Sequence, residues 1–425
     1  MKSRNNRHVQ RVKKMVVTCA MIALILGVST YAWFIGMKTV NVSTFDVSIA
    51  AIDSLSLSLD GNKWSDTVTI NGTNYNDTNV VYTGNTNSWG GTGLVPMSSV
   101  GKIDSGSSRL ILFEKGSLTV TPGGYRLMAS QVNNTASGVT EQNGYVAFDL
   151  FVKNLSGNAY YDNLDVRNEE AVYLTIDSEV KVAEGGQAGT GIENSVRVAF
   201  AQIGRVSAKA ATSTQAVITG IACENGEGST VTSICSRDAQ IWEPNDRLHV
   251  QNAINWYTTS CRKRTGATTT SEASYTGNYG GCGTVGNGGT YPTYAVSGEI
   301  TLGDSVDVYD GPAYNGYTGT IASTATTGKL MAYPTFTDSM KLQEGTARPT
   351  FMTLAPNSIT KVRVYVYIEG QDIDNYDFAS LGKKISVAFG FTKERFFGED
   401  TNYDDTNTAT LPADVVRANH ITAVQ

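Results

Sequence analysis

Wherever this chain is apolar, it alternates. Leu55, Leu57 and Leu59 are interleaved with serines in SLSLSLDGNKW, and YVAFDLFVKN alternates through Val146, Phe148, Leu150 and Val152. SVRVAFAQIG does the same through Val196, Val198 and Phe200. KVRVYVYIEG uses Val362, Val364, Val366 and Ile368, and KKISVAFGFTK uses Ile385, Val387, Phe389 and Phe391. Successive side chains of a strand point to opposite faces, so a period of two marks a strand with one buried face. Each run therefore predicts a strand that buries one face and wets the other, the pattern of antiparallel sheets stacked as a β-sandwich. Asp60-Gly61 and Asn71-Gly72 follow such runs and predict tight hairpin turns. No sustained 3.6-residue period follows residue 40. AQIGRVSAKAATSTQAV comes nearest and lacks an apolar stripe. The body is expected to be all-β.

Between the alternating runs the chain changes character. Residues 60 to 109 read as hairpins with long polar loops, and residues 33 to 204 together supply the first part of the sandwich. Residues 205 to 300 carry the run TGATTTSEASYTGNYGGCGTVGNGGTYPTY and the four cysteines beyond the N-terminus: Cys223, Cys235, Cys261 and Cys282. An even number of cysteines without a CxxC points to disulfides in an oxidising compartment rather than to metal. Three pairings exist, of which the neighbour pairing, Cys223 with Cys235 and Cys261 with Cys282, is preferred because it closes two short loops. A stretch with little apolar surface to bury is a natural place for covalent staples, so this region is read as a loop-rich insertion pinned by two disulfides. Residues 301 to 393 add the closing strands, and 394 to 425 form a polar tail expected to be flexible.

The N-terminus alone breaks the pattern. Lys2, Arg4, Arg7, Arg11, Lys13 and Lys14 come without an acid, and Met15 to Gly36 then passes without a charge. A basic end before an apolar run stays on the cytoplasmic side while the following chain crosses the bilayer. As a signal anchor, a helix over Met15 to Gly36 spans about 30 Å of hydrocarbon at about 1.5 Å per residue. As a signal peptide, Thr30-Tyr31-Ala32 offers small side chains at the two positions that a signal peptidase reads, with cleavage between Ala32 and Trp33. Residues 1 to 32 are read as this signal, with cleavage preferred over anchoring. Either way the body works outside the cytoplasm, at the cell surface or beyond it, and meets a membrane only through the N-terminal helix.

Charge narrows the partners. The net charge is −6, and without the six basic residues of the leader it is −12. An acidic body with no basic cluster repels nucleic acid. Charged residues make up only 17% of the chain, which suits a β-rich extracellular protein better than a helical bundle.

TYAWFIGMKTVNVSTFDVSIAA, Thr30 to Ala51, resembles the junction of signal and mature chain in the TasA/camelysin-like surface and biofilm-matrix proteins of Gram-positive bacteria. YVAFDLFVKNLSG, NSVRVAFAQIG, IWEPND and VRVYVYIEGQDIDN are similar to surface proteins with the same layout. The resemblance implies a jelly-roll-like sandwich that a dedicated signal peptidase processes. It also implies self-association into extracellular fibres, in which the freed N-terminal segment of one subunit completes a sheet of the next. Here that donor strand would use the alternating Phe45, Val47, Ile49 and Ala51. The competing reading pairs this strand within its own chain.

Signatures of catalysis are missing. HExxH and GxSxG do not occur, and His249 and His420 are far apart in sequence with no Glu nearby in ligand spacing. Ser358 to Lys361 and Ser380 to Lys383 match SxxK, but the first runs into a strand, where positions i and i+3 face opposite ways. The chain is thus read as non-enzymatic and without a cofactor. Two acidic clusters could take calcium: Glu369, Asp372, Asp374 and Asp377, and the tail group Glu399, Asp400, Asp404 and Asp405. Both lack EF-hand spacing and are read as solvated loops. Tyr160, Tyr161, Tyr275, Tyr279, Tyr291 and Tyr294 stand in loop-like stretches, which raises a second reading. In it the protein is an adhesin of the same sandwich architecture that contacts a glycan or a host protein through residues 205 to 300, while the first reading pairs the chain with itself or with cell-envelope partners.

Overall fold

The computed structural model describes residues 44–51, 55–70, 94–121, 124–136, 141, 144–156, 160–165, 168–175, 177–209, 213–224, 230–245, 248–258, 291, 293–300, 329–330, 351–375 and 384–394. These residues are mostly strand. In chain order the strands are β1 (Thr44–Ala51), β2 (Leu55–Ser58), β3 (Thr67–Ile70), β4 (Pro96–Asp104), β5 (Arg109–Thr121) and β6 (Gly124–Val132). There follow β7 (Val146–Asn154), β8 (Glu170–Leu174), β9 (Glu179–Val182), β10 (Val196–Ser207), β11 (Thr232–Ser233) and β12 (Gln240–Trp242). The set closes with β13 (Thr293–Ile300), β14 (Lys329–Leu330), β15 (Met352–Leu354), β16 (Ser358–Glu369) and β17 (Lys384–Glu394). Two short helices, α1 (Gln215–Thr219) and α2 (Gln251–Trp256), and a 3-10 turn at Ile192–Ser195 interrupt them.

The strands form two sheets. The smaller has the order β15-β8-β17-β1-β3, with β9 lying beyond β8 along the same side of β17. The larger is built on β16, flanked by β10 on one side and by β7 and then β4 on the other. It continues through β5, β6, β13 and β14, while β2 pairs with β7 and both β11 and β12 pair with β10.

The alternation sets the packing. Val47 and Ile49 of β1, Ile385, Val387, Phe389 and Phe391 of β17, and Val172 and Leu174 of β8 come from the smaller sheet. They join Val146, Phe148, Leu150 and Val152 of β7, Val196, Val198 and Phe200 of β10, and Val362, Val364, Val366 and Ile368 of β16 in one buried cluster. Phe200 anchors it, with its ring centroid 4.7 Å from Phe351 and 5.3 Å, edge-on, from Phe389. Burying a side chain of this size contributes about 1.5–3 kcal/mol. Gly390 has no side chain for a local reason. A Cβ there would lie 2.4 Å from Thr175 Oγ1, at the break between β8 and β9.

The structure departs from the sequence expectations in three respects. First, the sheets are mixed. β1 runs parallel to β17, β13 to β6, and β16 to β4. Secondly, Asp60-Gly61 does not join a two-stranded hairpin. Asp60 Oδ1 accepts from the backbone N–H groups of Asn62 and Lys63, and Gly61 has φ +70°, so a turn does form. Beyond the single Leu57–Ser65 bridge, however, β2 pairs with β7 while β3 pairs with β1 in the other sheet. Asn71-Gly72 lies outside the described residues.

Thirdly, the faces expected to be wet are dry at the centre of the larger sheet. Lys361, Arg363, Tyr365 and Tyr367 alternate with the valines of β16, yet each is buried. A second apolar cluster covers them, drawn from Leu110, Leu112, Ala147, Phe151, Ala199, Ala201, Ile218, Ile221 and Ile241. Ion pairs make this burial tolerable. Arg363 grips Asp149 with two nitrogens, at 2.7 and 3.1 Å, and Lys361 Nζ stands 3.2 Å from the same carboxylate. Burial pushes the Asp149 carboxyl up, but the Arg363 and Lys361 charges outweigh it and hold the group below its usual value. Similarly, Glu169 bridges Arg205 and Arg237. Among the described residues between 205 and 258, several therefore belong to the core. Ile218, Ile221, Ile234, Ala239, Ile241 and Trp242 are all buried.

Candidate functional site

The strand singled out by its alternation, β1, occupies an interior place in the smaller sheet. Thr44 to Ala51 pair in parallel with Lys384 to Phe391, and Val47 to Ala50 pair antiparallel with Thr67 to Ile70. Val47 and Ile49 are fully buried between the two sheets. Phe45 and Ala51 belong to the same strand, in register with Ile385 and Phe391, and their side chains lie outside the description. Only residues 52 to 54 separate β1 from β2, which belongs to the larger sheet. Within the single chain, β1 is paired with its own body.

A second group of chemistry-bearing residues gathers after β16. Asp374 accepts from Val250 N at 2.9 Å through Oδ1 and meets His249 Nδ1 at 2.5 Å through Oδ2. Asp372 Oδ1 accepts from Asp374 N at 2.7 Å, and its Oδ2 receives Arg197 Nη2, whose other carboxylate partner is Glu243. Glu369 accepts from Ser98 Oγ and from Gln371 N. Burial pushes the Glu369 carboxyl up to about 7 against the pull of Arg197, and it raises Asp372 in the same way. Burial, with the Asp374 charge adding to it, also raises Glu193.

The expected solvated acidic loop is thus a buried network, for Asp372 and Asp374 are 2% and 0% exposed. His249 is not isolated either. One ligand atom each from His249, Asp372 and Asp374 lie within 4.8 Å of one another. Calcium prefers a cage of oxygens. Here one donor is an imidazole, and all four oxygens of the two aspartates already serve protein donors. The arrangement ties the 3-10 turn, β10 and the loop after β16 together as a charge network. Asp377 and the tail acids lie outside the described residues.

Cys223 and Cys235 form a disulfide. This is the neighbour pairing expected for that half of the set, and it closes a loop with a sequence separation of 12. The Cys223 N–H donates to Ser108 Oγ, which moors the loop to the larger sheet beside Arg363. Cys261 and Cys282 lie outside the described residues.

No family model, curated protein or solved structure matches the chain.

Ala32 and Trp33, with the whole apolar leader, lie outside the described residues, as do His420, Tyr275, Tyr279, Ser380 and Lys383. Among the described residues no helix is long and apolar enough to cross a membrane. Tyr291 is no exposed platform. It is 6% exposed and packs edge-on against Tyr257, with ring centroids 5.0 Å apart. Tyr160 is partly buried, with its hydroxyl 3.0 Å from Thr232 Oγ1. Ser358 and Lys361 do not act together: Ser358 donates to Ala355 O, and Lys361 reaches Thr219 O, Ile221 O and Asp149. Sequence reasoning missed Arg197, Glu243 and Glu193. For Arg197 the available signal was a charged residue inside a strongly alternating apolar run; Glu193 and Glu243 stand outside any such run.

Proposed function

We propose that this chain is an exported cell-surface or extracellular-matrix structural protein, one that assembles by giving its N-terminal strand to a neighbouring copy. The observation that carries this reading is the place of β1. A strand near the N-terminus, inserted between β17 and β3, supplies Val47 and Ile49 to the core. Removing it would leave two open strand edges and an apolar slot in the smaller sheet, and such a slot is what an equivalent strand from another copy would fill. With only three residues between β1 and β2, little slack separates pairing at home from pairing with a neighbour.

The resemblance of Thr30 to Ala51 to the TasA/camelysin-like junction supports export and processing at Ala32. We read the two sheets and their shared cluster as a jelly-roll-like sandwich, with Cys261 and Cys282 providing a second staple. A cysteine pair at Ser48 and Ala388, which are register partners across β1 and β17, would lock the strand at home. The processed chain should form filaments visible by electron microscopy, and Ser48→Cys/Ala388→Cys should do so only after reduction. If the oxidised, stapled chain assembles as readily as the wild type, strand donation is wrong.

A further inference from the structure

Three strands of the core end, at the same margin, in a polar residue that faces inward. On β17 the inward positions Ile385, Val387, Phe389 and Phe391 are followed by Lys393. On β7 the series Val146, Phe148, Leu150 and Val152 is followed by Asn154. On β8, Glu170 precedes Val172 and Leu174. The side chains of Lys393 and Glu170 are 0% and 3% exposed, and Asn154 is fully buried.

They meet closely. Lys393 Nζ donates to Asn154 Oδ1 at 2.9 Å and to Glu170 Oε2 at 2.9 Å. The same Glu170 oxygen accepts from Asn154 Nδ2 at 2.6 Å and from Ser156 Oγ. Asn154 Nδ2 also donates to Ala355 O at 3.1 Å. One carboxylate oxygen therefore touches both the amine and the amide nitrogen, in a place closed to water.

We infer that Lys393 and Asn154 are the partners of an intramolecular isopeptide bond, with Glu170 moving the protons. The chemistry is amide exchange and needs no oxidant, metal or co-reactant. Glu170 takes a proton from the Lys393 ammonium. The free amine then attacks Asn154 Cγ, one carbonyl bond from the oxygen that Nζ already contacts. The Nζ–Cγ bond forms, Glu170 returns the proton to Nδ2 and then takes the second proton that Nζ must shed, and the Cγ–Nδ2 bond breaks. Ammonia departs. Holding the reacting groups in contact replaces a bimolecular encounter with a unimolecular step, and excluding water removes hydrolysis as the competitor. The product would staple β7 of the larger sheet to β17 of the smaller one. This inference stands apart from the assembly reading, since it needs only the folded monomer.

Mass spectrometry of the purified full chain, reduced and denatured, tests it. The expected result is a mass lower by one ammonia than the sequence requires, with a protease-resistant branched peptide joining the segments that contain Lys393 and Asn154. Lys393→Arg and Glu170→Gln should leave these segments unjoined, with circular dichroism confirming a folded chain. Asn154→Asp should join them with loss of one water instead, a signature that a purely structural ion pair would not give. Separate, unbranched peptides from the folded wild type would overturn the bond. A branched peptide from folded Glu170→Gln would overturn the role given to the carboxylate.

Discussion

Replacing Asp149 by Asn keeps its shape and removes its charge, which makes it a sharp probe of the second buried face. Arg363, Lys361 and Asp149 have side chains no more than 4% exposed. In the variant Arg363 keeps Ser108 O as a partner and Lys361 keeps Thr219 O and Ile221 O, but two buried cations lose the one carboxylate that, among the described residues, is paired with both. Removing one partner of a buried pair costs about 3–5 kcal/mol, whereas an exposed pair is worth about 1 kcal/mol or less. Urea unfolding of both proteins at pH 7, with an unchanged slope, should therefore show a loss near the larger figure.

The triple change Asp149→Leu, Arg363→Met and Lys361→Met should recover most of the loss, because it removes charge from both sides at once. The dependence on pH has a fixed sign. The folded carboxyl sits below its unfolded value of 3.8, so its stabilisation is complete above that value and disappears as the pH falls through the lower folded one. The gap between wild type and Asp149→Asn should accordingly close below about pH 4. A single-variant cost under about 1 kcal/mol at pH 7 would refute the argument, since it would mean that water reaches these charges.

Glu369 should behave in the opposite sense. Its carboxyl is raised from 4.5 to about 7, so the folded state binds the extra proton and stability falls as the pH rises through that window. Glu369→Gln should flatten this fall, gaining on the wild type between pH 5 and pH 8 by on the order of 2 kcal/mol, as measured by thermal melts across pH. Replacing both Cys223 and Cys235 by Ser opens the loop they close and should cost about 3 kcal/mol. A chemical-denaturation midpoint that the replacement leaves unmoved would show that the loop is already held by its buried Ile234, whose N–H donates to Ile203 O.

The alternating runs were the legible part of this molecule. Val362 to Ile368 and Ile385 to Phe391 face the shared cluster as their spacing requires, because a period of two depends only on local backbone geometry. The other face of β16 was not legible. Lys361 and Arg363 look like solvated positions until their partner, Asp149, is brought beside them by strand pairing. Strand direction was hidden for a similar reason. Whether β1 runs with or against β17 is set by how the chain closes on itself, over a span far longer than any one turn can govern. The network at His249 draws on Arg197, Glu243 and Asp374, which are widely spaced along the chain, so spacing rules could not find it. By contrast, Lys393, Asn154 and Glu170 each extend or begin an inward series by two. A polar residue in step with a hydrophobic period is a signal that sequence reading can use.

The parallel pairing of β1 with β17 sets an order of events in biogenesis. The first described strand to leave the ribosome has, as one neighbour, the last. Until Lys384 to Glu394 are synthesised, the half-made sheet keeps a bare margin open to any other extended polypeptide nearby, and the early strand must wait for a mate more than three hundred residues downstream. Contacts of such long range form late, so the nascent chain passes through a prolonged period in which mispairing, or shielding by a chaperone, competes with closure.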